Sequence, residues 1–185
     1  MFFLSTDKPF GIPFAEWTAR WWKAFNYQSW RRNFGPVFHI PGRIVELDTD
    51  TKLRTFKVQR KKGILLSVIN WIQPKTEEAF NNPLVKPMLI SSNYNLMFVA
   101  RNRMDAVNQA AFSVFLDGIQ VKDAIARVAT DGEFDLYKGV RAASDGYWIF
   151  IKPETLEKGK HIVSTFGMCS SGSTKVPMDY EIITV

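Results

Sequence analysis

One cysteine, Cys169, and two histidines, His39 and His161, are all that this 185-residue chain offers in thiols and imidazoles. A lone cysteine excludes an internal disulfide framework and any multi-cysteine zinc site. Two histidines leave most histidine-built metal centres out of reach. No run approaches 18 apolar residues, so no transmembrane helix is expected. The first nine residues carry no basic stretch, and Phe2-Phe3-Leu4 is too short for a signal peptide core. No Asn-x-Ser/Thr sequon occurs. A virion or cytoplasmic setting is therefore expected ahead of a secreted one.

The motifs of several enzyme classes are missing as well. There is no Gly-x-Ser-x-Gly nucleophile elbow. The segment from Gly167 to Thr174 imitates the spacing of a phosphate-binding loop, but Ser173 stands where that loop needs lysine, and Pro177 follows instead of a helix. The lysine and the helix N-terminus do the binding in such loops, so the segment reads as a polar connection between strands. Cys169, inside it, reads as an inert thiol.

What the chain does have is apolar mass: 46% hydrophobic and 14% aromatic residues, which exclude a disordered or fibrous polymer. A chain of this length buries about 70% of its unfolded surface. The expectation is a single domain over residues 1–185. The net charge of +6 slightly favours anionic partners. Arg54, Lys57, Arg60, Lys61 and Lys62 cluster, but Phe56 is the only aromatic among them, and nucleic-acid faces interleave the two types. Nucleic acid is not the expected partner.

Periodicity gives the elements. Phe14, Trp17, Trp21 and Phe25 form one apolar stripe at helical spacing, with Pro13 suited to the first turn and Glu16 and Lys23 matching the helix dipole. This predicts a helix at about 13–26, with Trp22 widening the stripe. From Gly35 onward, period-two alternation takes over. Val37–Ile40, Leu53–Gln59, Gly63–Asn70, Phe112–Leu116, Ile119–Val121, Ala124–Val128, Glu133–Tyr137, Tyr147–Ile151, His161–Phe166 and Tyr180–Val185 read as strands. Ile64 to Ile69 is apolar throughout, as in a strand buried on both faces. Asp117-Gly118 and Asp145-Gly146 read as tight turns. Residues 71–93, with three prolines, read as a long irregular connection, followed by a second helix at about 94–107. The fold class is mainly β: an antiparallel sandwich of jelly-roll type with an N-terminal amphipathic helix and one further helix.

Candidate chemistry is thin. Glu46, Asp48 and Asp50 alternate before a turn and read as a solvated edge rather than a calcium site. Asp131, Glu133 and Asp135 could supply the two carboxylates a glycoside hydrolase needs. His39 and His161 sit in apolar strands and read as core or edge residues. Trp30, Trp71, Tyr94, Tyr137, Tyr147 and Trp148 fall in or near turns, where aromatics stack on sugar rings or anchor interfaces.

Glu16-Trp17 with Trp21-Trp22, Gly35-Pro36-Val37-Phe38 with Gly42, Gly63 through Val68-Ile69-Asn70, Asp117-Gly118, Ser144-Asp145-Gly146-Tyr147-Trp148 and Gly159-Lys160-His161 follow one another over most of the chain. This series resembles a family of uncharacterised, mostly secreted bacterial and archaeal proteins. The resemblance implies one mostly β domain. Family members carry a signal peptide and cysteines near the Gly-Pro-Val segment. This chain has neither and is shorter between Trp22 and Gly35. No catalytic residue carries over.

The leading expectation is a non-catalytic structural module without cofactor or metal. Its partners would be other protein subunits in a homo-oligomer or larger assembly, for example a virion component such as a capsid decoration or tail-associated subunit. Residues 14–25 and 71–93 would supply contacts. The interface or ligand candidates are Trp17, Trp21, Trp22, Trp30, Trp71, Tyr147 and Trp148. The alternatives are a polysaccharide-binding module with Trp71, Tyr147 or Trp148 as stacking platform, and a hydrolase using Asp131 and Asp135.

Overall fold

Two aromatic-rich strands with apolar residues on both faces need cover on both sides, and the architecture follows from that need. A computed structural model describes residues 1–26, 33–40, 53–107, 112–121, 123–168 and 175–185. The described residues form a mainly β fold of two mixed sheets with four α-helices.

After a single 3-10 turn at Pro9–Gly11 comes α1 (Phe14–Asn26). The strands β1 (Asn33–Phe34), β2 (Val37–Ile40), β3 (Arg54–Val58) and β4 (Gly63–Pro74) precede three helices, α2 (Glu77–Asn81), α3 (Lys86–Ser91) and α4 (Leu96–Asp105). Then follow β5 (Ser113–Leu116), β6 (Ile119–Gln120), β7 (Ala126–Arg127), β8 (Phe134–Tyr137), β9 (Val140–Ile151), β10 (Gly159–Met168) and β11 (Lys175–Thr184). The first sheet has the order β1-β2-β4-β9-β7, with β8 also on β9, and the second β3-β11-β10-β5-β6.

The sheets are mixed rather than antiparallel. β2 pairs parallel with β4 because β3, between them in sequence, belongs to the other sheet; β3 in turn pairs parallel with β11. Local turn signals announce hairpins only, so such long-range pairings leave no mark in the sequence. The 71–93 stretch also differs from its reading: it continues β4 and then holds α2 and α3. Thr76 caps α2 by accepting the Ala79 N–H at 3.2 Å, and Pro87 lies in the first turn of α3, where its missing N–H costs nothing.

Asp145-Gly146 is not a turn either. Both residues lie inside β9, and the hairpin closes earlier, at Lys138-Gly139, both in the left-handed region. Gly146 is required by a neighbour: a Cβ there would stand 2.4 Å from the Asn70 Cβ on β4. Asp117-Gly118, by contrast, does form the β5–β6 turn, with φ of 51° and 80°.

β4 and β9 run side by side at the centre of the first sheet and are buried on both faces. Ile64, Leu66, Tyr147, Ile149 and Ile151 join Phe56, Val58, Val114, Val163, Tyr180 and Ile182 of the second sheet in one cluster. Leu65, Trp148 and Phe150 point the other way, into a cluster with Phe14, Trp17, Trp21 and Trp22 of α1. At Val68 the β4–β9 register slips by one residue. A one-residue slip exchanges the faces, so Trp71 comes to lie under the helices. There Leu89, Leu96, Val99 and Ala143 make a third, smaller cluster with it.

Candidate functional site

Trp17, Trp21, Trp22 and Trp148, singled out in the sequence, are packing residues of the core. Trp17 and Trp148 are 0% exposed, and Trp21, Trp22 and Tyr147 are also buried. Each indole N–H donates inside the fold: Trp17 to the Pro9 carbonyl at 2.9 Å, Trp21 to the Ile40 carbonyl at 2.8 Å, Trp22 to the Ser144 hydroxyl at 2.6 Å, and Trp148 to the Val128 carbonyl at 3.2 Å. Trp21 meets Trp148 edge-to-face at 5.2 Å. Among the described tryptophans only Trp71 keeps partial exposure, and the Arg103 guanidinium lies 4.7 Å from its ring centroid. The sugar-stacking platform expected of Trp71, Tyr147 and Trp148 thus has two buried rings and a third with an arginine on it. Trp30, the Glu46, Asp48 and Asp50 set and Cys169 lie outside the described residues.

The acidic group at 131–135 is a surface ion cluster. Arg141 binds Asp135 at 3.1 Å and Glu133 at 3.6 Å, and also donates to the Glu133 carbonyl at 2.8 Å. Asp131 stands in solvent. His39 is buried against Trp17, and burial, aided by the positive charge of Arg20, lowers its pKa to about 3. Among the described residues, no three of His, Cys, Asp and Glu come together as metal ligands, and no helix is long and apolar enough to cross a membrane.

An open depression of about 300 Å³ lies where α4 crosses the first sheet, lined by Arg101, Asp105, Arg127, Ala129 and Asp145. Asp145 is only 2% exposed. Its Oδ2 accepts from the Arg127 Nε at 3.0 Å and Nη2 at 2.6 Å, and its Oδ1 accepts the Gly146 N–H at 2.7 Å. Arg127 also reaches Asp105 on α4 at 2.6 Å and the Arg101 carbonyl at 3.2 Å. The Asp145 hydrogen bond, set against the cost of burial and joined by Asp105, raises the pKa of Arg127 further. Every arm of the guanidinium is engaged, so the cluster fastens α4 to β7 and β9 rather than offering charge to a ligand.

The surface feature that stands out is apolar. Leu84, Ile90, Tyr94 and Phe98 are 64%, 58%, 54% and 46% exposed, all on the 84–98 segment that carries α3 and the start of α4. Phe80 packs against Tyr94 at 5.8 Å. Asn93 and Tyr94, which join α3 to α4, both have positive φ, a costly conformation for a tyrosine. The sequence reading had Tyr94 among its turn aromatics but missed the other three. Their spacing gave no signal, because neighbouring residues of a helix can both face inward, as Trp21 and Trp22 do in α1.

No family model, no curated protein and no solved structure matches this chain.

Proposed function

We propose that the protein is a non-catalytic structural module that assembles through the α3–α4 corner, with further copies of itself as partner. The observation carrying this reading is the group Leu84, Ile90, Tyr94 and Phe98, four large apolar side chains left exposed on and beside α3 and α4. Isolated exposed leucines are ordinary, but several gathered in one corner mark interaction surfaces. The inward faces of the same helices are filled by Leu89, Leu96 and Val99, which fixes the corner to the sheet as interfaces require.

The cluster shared by both sheets supports a sandwich-type scaffold, the jelly-roll class being its finer form. A particle-building subunit, such as a capsid decoration or tail-associated protein, is the concrete version of the reading. Light scattering after size exclusion tests it. A defined multimer of the 21.2 kDa chain, driven to monomer by Ile90→Asp or Phe98→Asp with unchanged circular dichroism, is the expected result. A monomer at all concentrations, or a multimer indifferent to both substitutions, overturns it.

A further inference from the structure

Near the start of β10, the middle strand of the second sheet, His161 lies just beyond the pairing with β5 and has an oxygen acceptor at each ring nitrogen. Nδ1 lies 2.8 Å from Asp117 Oδ2 in the β5–β6 turn, and Nε2 lies 2.9 Å from the Glu157 carbonyl in the connection between β9 and β10. A neutral imidazole has one N–H and can serve only one of them; the imidazolium has two. Asp117 is itself pinned. Its Oδ1 accepts the Ile162 N–H at 2.8 Å, and its own N–H donates to the Ile162 carbonyl at 2.9 Å.

We propose that His161 is a proton-operated clamp: charged, it couples the β5–β6 hairpin tip to the connection before β10; neutral, it lets them part. The tie to Glu157 is the one that yields. The Asp117 carboxylate is the stronger acceptor and keeps the remaining proton on Nδ1, while the Glu157 carbonyl retains the Thr184 hydroxyl as donor. The hairpin tip, which carries Ile119, 73% exposed, then stays on β10 through Asp117 but is no longer tied to the connection.

The charges around the ring agree. Asp117 faces it from the turn. Glu157 faces it from the connection, its carboxylate 3.5 Å from Arg60 of the β3–β4 turn. From β11 the registered neighbour is the apolar Ile182, and the Lys160–Glu181 pair stands on the opposite face of the sheet. Burial alone would lower the pKa of His161, but the Asp117 hydrogen bond and the Glu157 carbonyl outweigh it and hold it above the ordinary value of 6.5. Burial likewise works against Asp117, and its bonds to His161 and Ile162 prevail to hold it low. A raised histidine stabilises below the unfolded pKa and loses that contribution as pH rises through the folded one. The clamp is therefore closed in mildly acidic solution and opens as pH rises through the folded pKa.

Ring-nitrogen NMR of His161 tests this from about pH 5 to about pH 9, together with intrinsic-rate-corrected exchange at Gly159, whose N–H donates to the Thr184 hydroxyl that also reaches the Glu157 carbonyl. Both ring nitrogens should be protonated below a midpoint that lies above that of a free histidine. Protection should fall about tenfold as the ring titrates, the order expected for one hydrogen bond to a charged group. Asp117→Asn should move the midpoint down, and His161→Gln should make exchange pH-independent. A ring midpoint at or below that of a free histidine, or protection that ignores the titration, overturns the proposal. The Asp117→Asn midpoint decides the matter alone if His161→Gln fails to fold.

Discussion

Asp145 shows how a single residue changes meaning with its neighbours. Followed by Gly146, it has the outward form of a turn, yet both sit in the middle of a central strand. The reason is the close approach of Asn70, which only glycine allows, and the Arg127 guanidinium, which lets a carboxylate be buried there. Removing one member of a buried pair is more damaging than the pair is helpful, because the other charge is left without solvent or partner. Arg127→Met is therefore expected to cost about 3–5 kcal/mol in urea unfolding. Asp145→Asn should cost clearly less, since an amide oxygen still accepts the Gly146 N–H. Equal losses in the two variants would show that the charge of Asp145 is not what Arg127 answers.

At the level of elements, α1 was legible because its aromatic stripe recurs at helical spacing and its dipole charges are in place. The stripe could not say what it covered. The structure seats it on the outer face of β4 and β9, with Trp21 edge-on to Trp148. Trp21→Ala removes this ring and the hydrogen bond to Ile40, and about 3–5 kcal/mol of stability should go with it, read from the denaturant midpoint. A loss below 1 kcal/mol would mean that α1 is not docked as described. α2 and α3 were missed although Thr76-Glu77-Glu78 is a helix start in form, a cap followed by acidic residues. Helices this short have little propensity of their own, and the prolines around them read more strongly as breaks.

For the molecule as a whole, the two histidines pull stability in opposite directions with pH. His39 is neutral in the folded state, with a pKa near 3, whereas in the unfolded chain it takes up a proton below its ordinary 6.5. The unfolded state then binds more protons, so stability falls as pH drops from about 6.5 toward about 3. His161 works the other way, on the alkaline side. Urea midpoints measured across this range should decline toward acid, and His39→Phe should flatten the slope whatever it does to the baseline. An unchanged slope would place the acid sensitivity in the carboxylates alone.

The β-rich character, the first helix, the alternation of β3, the double-sided burial of β4 and the Asp117-Gly118 hairpin are all written in short stretches of the chain. These are local patterns, and chain geometry turns them directly into structure. The parallel pairings of β2 with β4 and β3 with β11 were decided only by tertiary structure, as were the slip at Val68 and the burial of Asp145. So was the division of the large apolar residues, with Trp17, Trp21 and Trp148 inside and Ile90 and Phe98 outside. Each depends on which distant segment comes to lie alongside, and a residue's type and spacing carry its appetite for burial but not the identity of the surface that will bury it.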